Sequence, residues 1–258
     1  MITRFAPAPT GFLHLGHVVN ALHVWGAARA EGGEVLLRIE DHDRQRSRDE
    51  YEQAIIEDLV WLGFKHDGDI ARQSARGPLY HRALQRLIDR GLVYGCSCSR
   101  SDFDGERYPG TCRGKGIQLA DGVSWRVVME PGTERFFDEM LGPQEQDPSE
   151  QCGDVVVRDR HGNWTYQFAV TVDDQLQRVT HVIRGEDLLS STGRQIRLAR
   201  LLGRHDLPRF RHHGLIMKSP TQKLSKSDHD TGVRDLRASG WTAEKVLSKA
   251  RELANLQG

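Results

Sequence analysis

Ile2 to Ala6 is a short strand candidate, and Pro7, Pro9 and Gly11 break it at once. That pattern predicts one strand followed by a loop. From Leu15 the apolar positions fall at Leu15, Val18, Val19, Leu22, Trp25 and Ala28, the three-and-four spacing of one helix face. Gly32-Gly33 ends that helix. Val35 to Glu40 reads as a compact buried strand, followed directly by Asp41 and Asp43. Asp49 is placed to cap the next helix. Its core face is Ile55, Ile56, Leu59, Val60 and Leu62, and Gly63 stops it. Pro78 sits in the first turn of a third helix carrying Leu84, Leu87 and Ile88, with Gly91 after its end. Strand, helix, strand, helix, helix predicts an α/β fold with an open parallel sheet.

Beyond Val93 the rhythm changes. Val93 to Pro148 holds three of the four cysteines, many glycines and prolines, and little helical periodicity. It reads as an inserted subdomain. Val155-Val156-Val157 and Tyr166 to Val172 have the look of strands, with Asn163 in a turn between them. Gly193 to Leu202 resumes a helix, Leu215-Ile216-Met217 is a last buried strand, and Trp241 to Leu256 is an amphipathic helix. The expected organisation is one α/β domain built from 1–92 and 165–240, an insert over 93–164, and a C-terminal helix over 241–258.

Composition narrows the picture little. The chain has 258 residues, 38% hydrophobic and 28% charged, enough for one large domain carrying an insert. No apolar run approaches the ~18 to 20 residues of a membrane span. The first residues read as a strand rather than a basic-then-apolar leader. A cytoplasmic protein that does not bind membranes is expected. No long apolar surface helix suggests a dimer, so a monomer is expected. Formal net charge is zero, which argues against wholesale coating of nucleic acid but allows a local basic face. Acid concentrates early, from Glu40 to Asp58, and base late, from Arg184 to Lys218. Arg194, Arg197, Arg200 and Arg204 share one helix face, either solvated or set against nucleic-acid phosphates.

Two stretches carry candidate chemistry. Near the N-terminus, His14 and His17 stand at the mouth of the first helix, after a Pro/Gly loop. Backbone N–H groups and the positive helix end there suit phosphates. Near the C-terminus, Lys223-Leu-Ser-Lys226-Ser227 puts two lysines around a serine. Imidazole and ammonium donors together suit a triphosphate attacked at its α-phosphate, because charge builds on its oxygens in that transition state. There is no G-x-G-x-x-G, and Gly110 to Lys115 falls one residue short of a Walker spacing. Cys96, Cys98 and Cys112 have the spacing of a structural zinc site that needs a fourth ligand, with Cys152 or a nearby histidine open for it; three free buried cysteines without metal are the alternative.

Arg4-Phe5-Ala6-Pro7 running into His14-Leu15-Gly16-His17, then Arg38-Ile39-Glu40-Asp41, then Lys223-Leu224-Ser225-Lys226-Ser227, resembles the catalytic core of class I glutamyl-tRNA synthetases. The resemblance covers nearly the whole chain. It implies a Rossmann-like class I catalytic core with a parallel sheet and an inserted zinc-bearing, acceptor-type subdomain. It implies an enzyme that activates L-glutamate with ATP, with magnesium expected alongside. By position His14, His17, Lys223 and Lys226 would be catalytic. Pro7, Gly16, His14, His17 and Lys226 would hold ATP. Arg4, Ala6, Ala8, Glu40, Tyr166 and Arg184 would line the glutamate pocket, with Arg4 and Arg184 as guanidinium candidates for a carboxylate and Glu40 receiving the ammonium. Position 8 departs from the pattern: relatives usually have serine, and Ala8 has no side-chain donor. A surface ion pair between Arg184 and Glu186 is the competing reading of those two residues. Cys96, Cys98, Tyr108 and Cys112 match a Cys-x-Cys, Tyr-x3-Cys pattern in one branch of the family, where the tyrosine oxygen is the fourth zinc ligand.

The chain stops about thirty residues after Ser227, where a full member of the family continues into an anticodon-reading domain. The branch without that domain transfers glutamate to queuosine-34 in the anticodon loop of tRNA(Asp). The expected partner is therefore the tRNA(Asp) anticodon stem-loop. A catalytic fragment that charges the tRNA 3′ end, and a non-catalytic RNA-binding or regulatory paralogue, are the competing expectations. An adenylyltransferase of another small acid would share the phosphate chemistry.

Overall fold

A computed structural model describes residues 1–215, 217–219, 222–223 and 232–256. In chain order the elements are β1 (Ile2–Phe5), α1 (Leu15–Glu31), β2 (Glu34–Ile39), α2 (Asp49–Trp61), β3 (Asp67–Arg72), α3 (Gly77–Asp89), β4 (Val93–Cys96), β5 (Ser124–Val127), β6 (Glu134–Asp138) and β7 (Gly142–Gln146). They continue with α4 (Pro148–Gln151), β8 (Val155–Arg158), α5 (Tyr166–Leu176), β9 (His181–Gly185), α6 (Thr192–Leu201), β10 (Arg209–His213), β11 (Met217–Ser219), β12 (Gln222–Lys223), α7 (Val233–Ala238) and α8 (Ala243–Leu253). These gather into two compact units, one of residues 1–74, 179–189 and 208–258, the other of 75–178 and 190–207.

In the first unit β1, β2 and β3 form a parallel sheet in that order, with Phe5 opposite Leu37. Parallel neighbours need a crossover, and α1 supplies it between β1 and β2. β9 and β10 also pair in parallel, with Arg184 opposite His212. The Thr180 amide donates to the Ile2 carbonyl, 2.8 Å away, and ties the β9 side to β1. Phe5, Leu37 and Ile39 from the strands pack with Val18, Val19 and Val24 of α1 and Ile55 and Leu59 of α2. Val233 and Leu236 of α7 and Val246 and Ala250 of α8 close the same core. α1 ends as its glycines require: Gly32 sits at φ 58 and the Gly33 amide returns to the Ala28 carbonyl. The helix α2 starts one residue off expectation, since Arg48 holds the cap position without a side-chain bond and Asp49 is already helical. Its carboxylate acts in the first turn, on the helix dipole.

In the second unit β4, β5 and β8 make an antiparallel sheet, and β6 and β7 a hairpin. Tyr80 and Leu84 of α3, Val157 of β8, Phe168 and Val172 of α5 and Leu198 of α6 share its core. Tyr166 to Val172 is helical, not a strand. Phe168 to Asp174 are all buried, so the middle of this helix has no solvent face, and its aromatic and β-branched residues mimic strand alternation. Asp173 accepts from Arg76 at 2.6 Å and from the Tyr80 hydroxyl at 2.8 Å, which satisfies an acid buried inside that helix. β9 and β10 were absent from the sequence expectation because buried Arg184, His212 and His213 and the half-buried Arg211 interrupt their apolar pattern. The expected Leu215–Met217 strand includes Ile216, outside the described residues; β11 begins at Met217.

Candidate active site

The first helix is capped by its own histidine motif. His14 is extended (φ −124, ψ 174), and its Nδ1 accepts from the Gly16 amide at 3.0 Å. The His14 amide in turn donates to Nδ1 of His17 at 3.1 Å. The ring centroids lie 3.9 Å apart. Because both Nδ1 atoms accept, each neutral ring carries its proton on Nε2. Two N–H donors of fixed tautomer thus flank the positive end of a 17-residue helix. Gly16 makes this possible: a Cβ there would lie 2.8 Å from His14 Cε1.

The approach loop is fixed at several points. The Glu40 amide donates to the Pro7 carbonyl (3.0 Å) and the Arg48 amide to that of Pro9 (3.0 Å). Pro7 is buried, while Ala6 and Ala8 are half-buried. The Thr10 amide bonds the Ala8 carbonyl. On the far side, the Val233 amide donates to Leu13 O at 2.8 Å, and Gly232 bridges His14.

Buried charge accumulates at the carboxyl ends of these strands. Arg4 is 4% exposed, with its Nη1 3.5 Å from the Ile183 carbonyl, beside Arg184 in sequence. Arg184 is also 4% exposed, and its Nε donates to Nε2 of the fully buried His212 at 3.0 Å. That burial replaces the expected alternative of a surface pair with Glu186. Glu40, 8% exposed, accepts from the buried Arg38 at 3.3 Å. A charge that stays buried needs partners, and ligand sites in open α/β sheets lie outside the carboxyl ends of their strands. Arg38 and His212 are supporting residues that sequence reasoning missed. Arg38 stood in a motif that was noticed, whereas the His212-His213 pair carried no periodic signal. Tyr166 opens α5 in the second unit and is half-buried. The backbone of Lys223 ends β12, and Lys226 lies outside the described residues.

In the second unit Cys96, Cys98 and Cys112 bring three sulfurs within 4.8 Å of one another. The Cys98 and Cys112 sulfurs are 3.5 Å apart, against roughly 3.8 Å between two thiolates on one tetrahedral zinc with ~2.3 Å bonds. The Tyr108 hydroxyl lies 3.3 Å from Cys96 Sγ and accepts from the Cys112 amide at 2.8 Å. The donor set therefore fits a closed tetrahedral site of three sulfurs and one oxygen. Burial works against a Cys112 thiolate, but bonds from Tyr108, Ser97 and Cys98 outweigh it and bring that thiol down to about 6. Burial and the Cys112 contact push Cys98 up to about 11. Cys152 points its thiol at the Pro148 carbonyl (3.1 Å), while its own carbonyl holds the Tyr108 amide. Gly153 must be glycine there, since a Cβ would come within 2.0 Å of Tyr108 O.

The arginine face of α6 turns partly inward. Arg197 bonds Glu134 and the Glu130 and Gly132 carbonyls, Arg200 reaches Glu134 at 3.0 Å, and Arg204 is 7% exposed. Arg197 and Arg204 therefore serve the structure, while Arg200 stays exposed.

A helix end carrying two imidazole donors, at the carboxyl ends of parallel strands lined with buried guanidinium and carboxylate groups, has the chemistry to hold a phosphate together with a second charged ligand. Residues 1–118 and 114–253 match the family of class I tRNA synthetases (E and Q), catalytic domain. The chain is 43% identical to a glutamyl-Q tRNA(Asp) synthetase of Rhodobacter capsulatus, over 93% of this chain and 96% of that protein. It is 46% identical to the protein of that name from Bordetella bronchiseptica, over 88% and 75%. Among solved structures it is similar to a glutamate tRNA ligase from Elizabethkingia meningosepticum in complex with its amino acid. That similarity has a TM-score of 0.77 at 30% identity, and covers 93% of this chain but 53% of that one. The chain belongs to the class I tRNA synthetase family, in its glutamyl-Q tRNA(Asp) synthetase branch. It is an enzyme of the ligase class.

Proposed function

We propose that this cytoplasmic enzyme activates L-glutamate with ATP and transfers the glutamyl group to queuosine-34 of tRNA(Asp). The α-carboxylate of glutamate attacks the α-phosphorus of ATP, the bond to the bridging oxygen breaks, and pyrophosphate leaves with magnesium. A hydroxyl of the queuosine cyclopentenediol then attacks the acyl carbon, giving the ester and AMP, and its proton passes to solvent. The observation that carries the first half is the histidine-capped start of α1 next to the buried Arg4, Arg184 and Glu40. His14 and His17 donate from Nε2 to phosphate oxygens as charge grows there, an effect on the transition state rather than on binding alone. Lys223 and Lys226 complete the phosphate contacts, and Pro7 and Gly16 let the nucleotide approach the backbone.

Glutamate enters as a zwitterion with one extra carboxylate. Arg4 and Arg184 take carboxylates, each held in place by a neighbour, and Glu40 takes the ammonium. Ala6, Ala8 and Tyr166 complete the pocket. Ala8 contributes shape and has no side-chain donor. The domain reading remains a catalytic core over 1–92 and 165–240 with a zinc-bearing insert over 93–164. Cys96, Cys98, Tyr108 and Cys112 would hold the zinc, which when bound cross-links the insert and takes no part in the reaction. The names of the relatives support the tRNA(Asp) acceptor, and a monomer is sufficient for both steps.

The test of the acceptor uses radiolabelled glutamate with tRNA(Asp) carrying or lacking queuosine. Label on the queuosine-bearing tRNA alone is expected. Label on the 3′ adenosine of tRNA(Glu) would instead support an ordinary glutamyl-tRNA synthetase activity.

A further inference from the structure

Asp58 lies on the inner side of α2, fully buried, and neither of its carboxylate oxygens has a hydrogen-bond partner among the described residues. Such a group is expensive to keep. The groups facing it are Glu57 on its own helix and Arg234 and Arg237 of α7. Arg234 Nε, itself without a hydrogen bond, stands 3.9 Å from Asp58 Oδ1, and its guanidinium also pairs with Glu57. Arg237 lies over the Trp61 ring at 5.2 Å, and Arg234 over Phe12 at 5.6 Å. Helix α7 is therefore drawn onto α2 by acidic and aromatic groups at one end of α2.

What α7 holds in turn is the mouth of α1. Val233, its first residue and fully buried, donates its amide to the Leu13 carbonyl at 2.8 Å, and Gly232 bridges His14. The Asp235 side chain accepts from the Gly232 amide at 3.2 Å and fixes this corner. A chain of contacts thus runs from Asp58 through Arg234 and the start of α7 to the backbone of His14. We propose that Asp58 is a positioning residue for adenylate formation, holding α7 so that the His14 imidazole is correctly aimed at the nucleotide phosphates. This rests on the role assigned above to His14. It also explains why an unbonded carboxylate is tolerated in the core: stability is given up to place a donor. Burial, only partly offset by the two arginines, raises the Asp58 carboxyl to about 6, so it is ionised at neutral pH.

The test compares the parent with Asp58→Asn at pH 7.5, in the His14 and the His14→Ala backgrounds. Asp58→Asn is expected to raise Tm by several degrees, because it removes a buried charge. It is expected to lower kcat of glutamate-dependent ATP–pyrophosphate exchange about three- to tenfold, with KM for glutamate unchanged. In the His14→Ala background it should have no further effect on kcat. Hydrogen exchange gives a readout independent of activity: the Val233 amide should exchange several-fold faster in Asp58→Asn although the protein as a whole is more stable. A variant that loses Tm and kcat together, keeps full kcat, or lowers kcat equally in both backgrounds would overturn the proposal. So would unchanged Val233 exchange. Absence of exchange activity in the parent would refute the glutamate-activating reading, and the Val233 amide would still decide the positioning role of Asp58.

Discussion

The His14 ring occupies the space that a side chain at Gly16 would fill, and that contact sets the direction of the His14 imidazole. Gly16→Ala would place a methyl 2.8 Å from the ring. The ring must swing off the helix end, losing its bond to the residue-16 amide. Adenylate formation should fall at least tenfold, with a stability loss of about 1 kcal/mol for the damaged cap. Steady-state exchange and thermal unfolding measure the two effects separately, and a variant with normal kcat would show that the ring position is unimportant. Asp58 belongs to the same scale. Its folded value of about 6 lies above its ordinary 3.8, so the native state binds the proton more tightly. The contribution to stability therefore falls as pH rises from about 4 through 6, and the full cost applies above that. The Tm advantage of Asp58→Asn over the parent should grow across that window and then level off. An advantage that shrank with rising pH would have the wrong sign.

At the scale of elements, the sequence read well wherever one face of a helix is buried and the other is wet. α1, α2 and α3 announce themselves by spacing, and their glycine stops are real. It read poorly where burial is all-round or polar. The middle of α5 has no wet face and passed for a strand, and β9 and β10 carry Arg184, His212 and His213 inside the protein, where composition alone predicts surface. The histidine and lysine motifs stand out in the sequence because each is contiguous. Arg38 and His212, which support Glu40 and Arg184, gave no such signal, because buried hydrogen bonding leaves no period in a sequence. The Cys96–Cys112 loop is the element with most to lose from a missing ion. It has little regular structure, and its small apolar cluster consists largely of the candidate ligands. Purified protein is expected to carry one zinc per chain by elemental analysis, and chelation should lower Tm. Cys112→Ser should abolish zinc retention and reproduce the chelated Tm. Metal-free protein with an unchanged Tm would show that the three thiols stand alone.

At the scale of the molecule, the chain is a member of a family whose catalytic part accounts for almost all its described residues. The solved glutamate tRNA ligase is nearly twice as long as the part this chain matches. On the function proposed above, glutamate activation is expected to proceed without any tRNA. The most direct test is glutamate-dependent ATP–pyrophosphate exchange by the purified chain in the absence of tRNA. Robust exchange with glutamate, and little with aspartate or glutamine, is the predicted result. Exchange that appears only when tRNA(Glu) is added, or that follows a different amino acid, would contradict it.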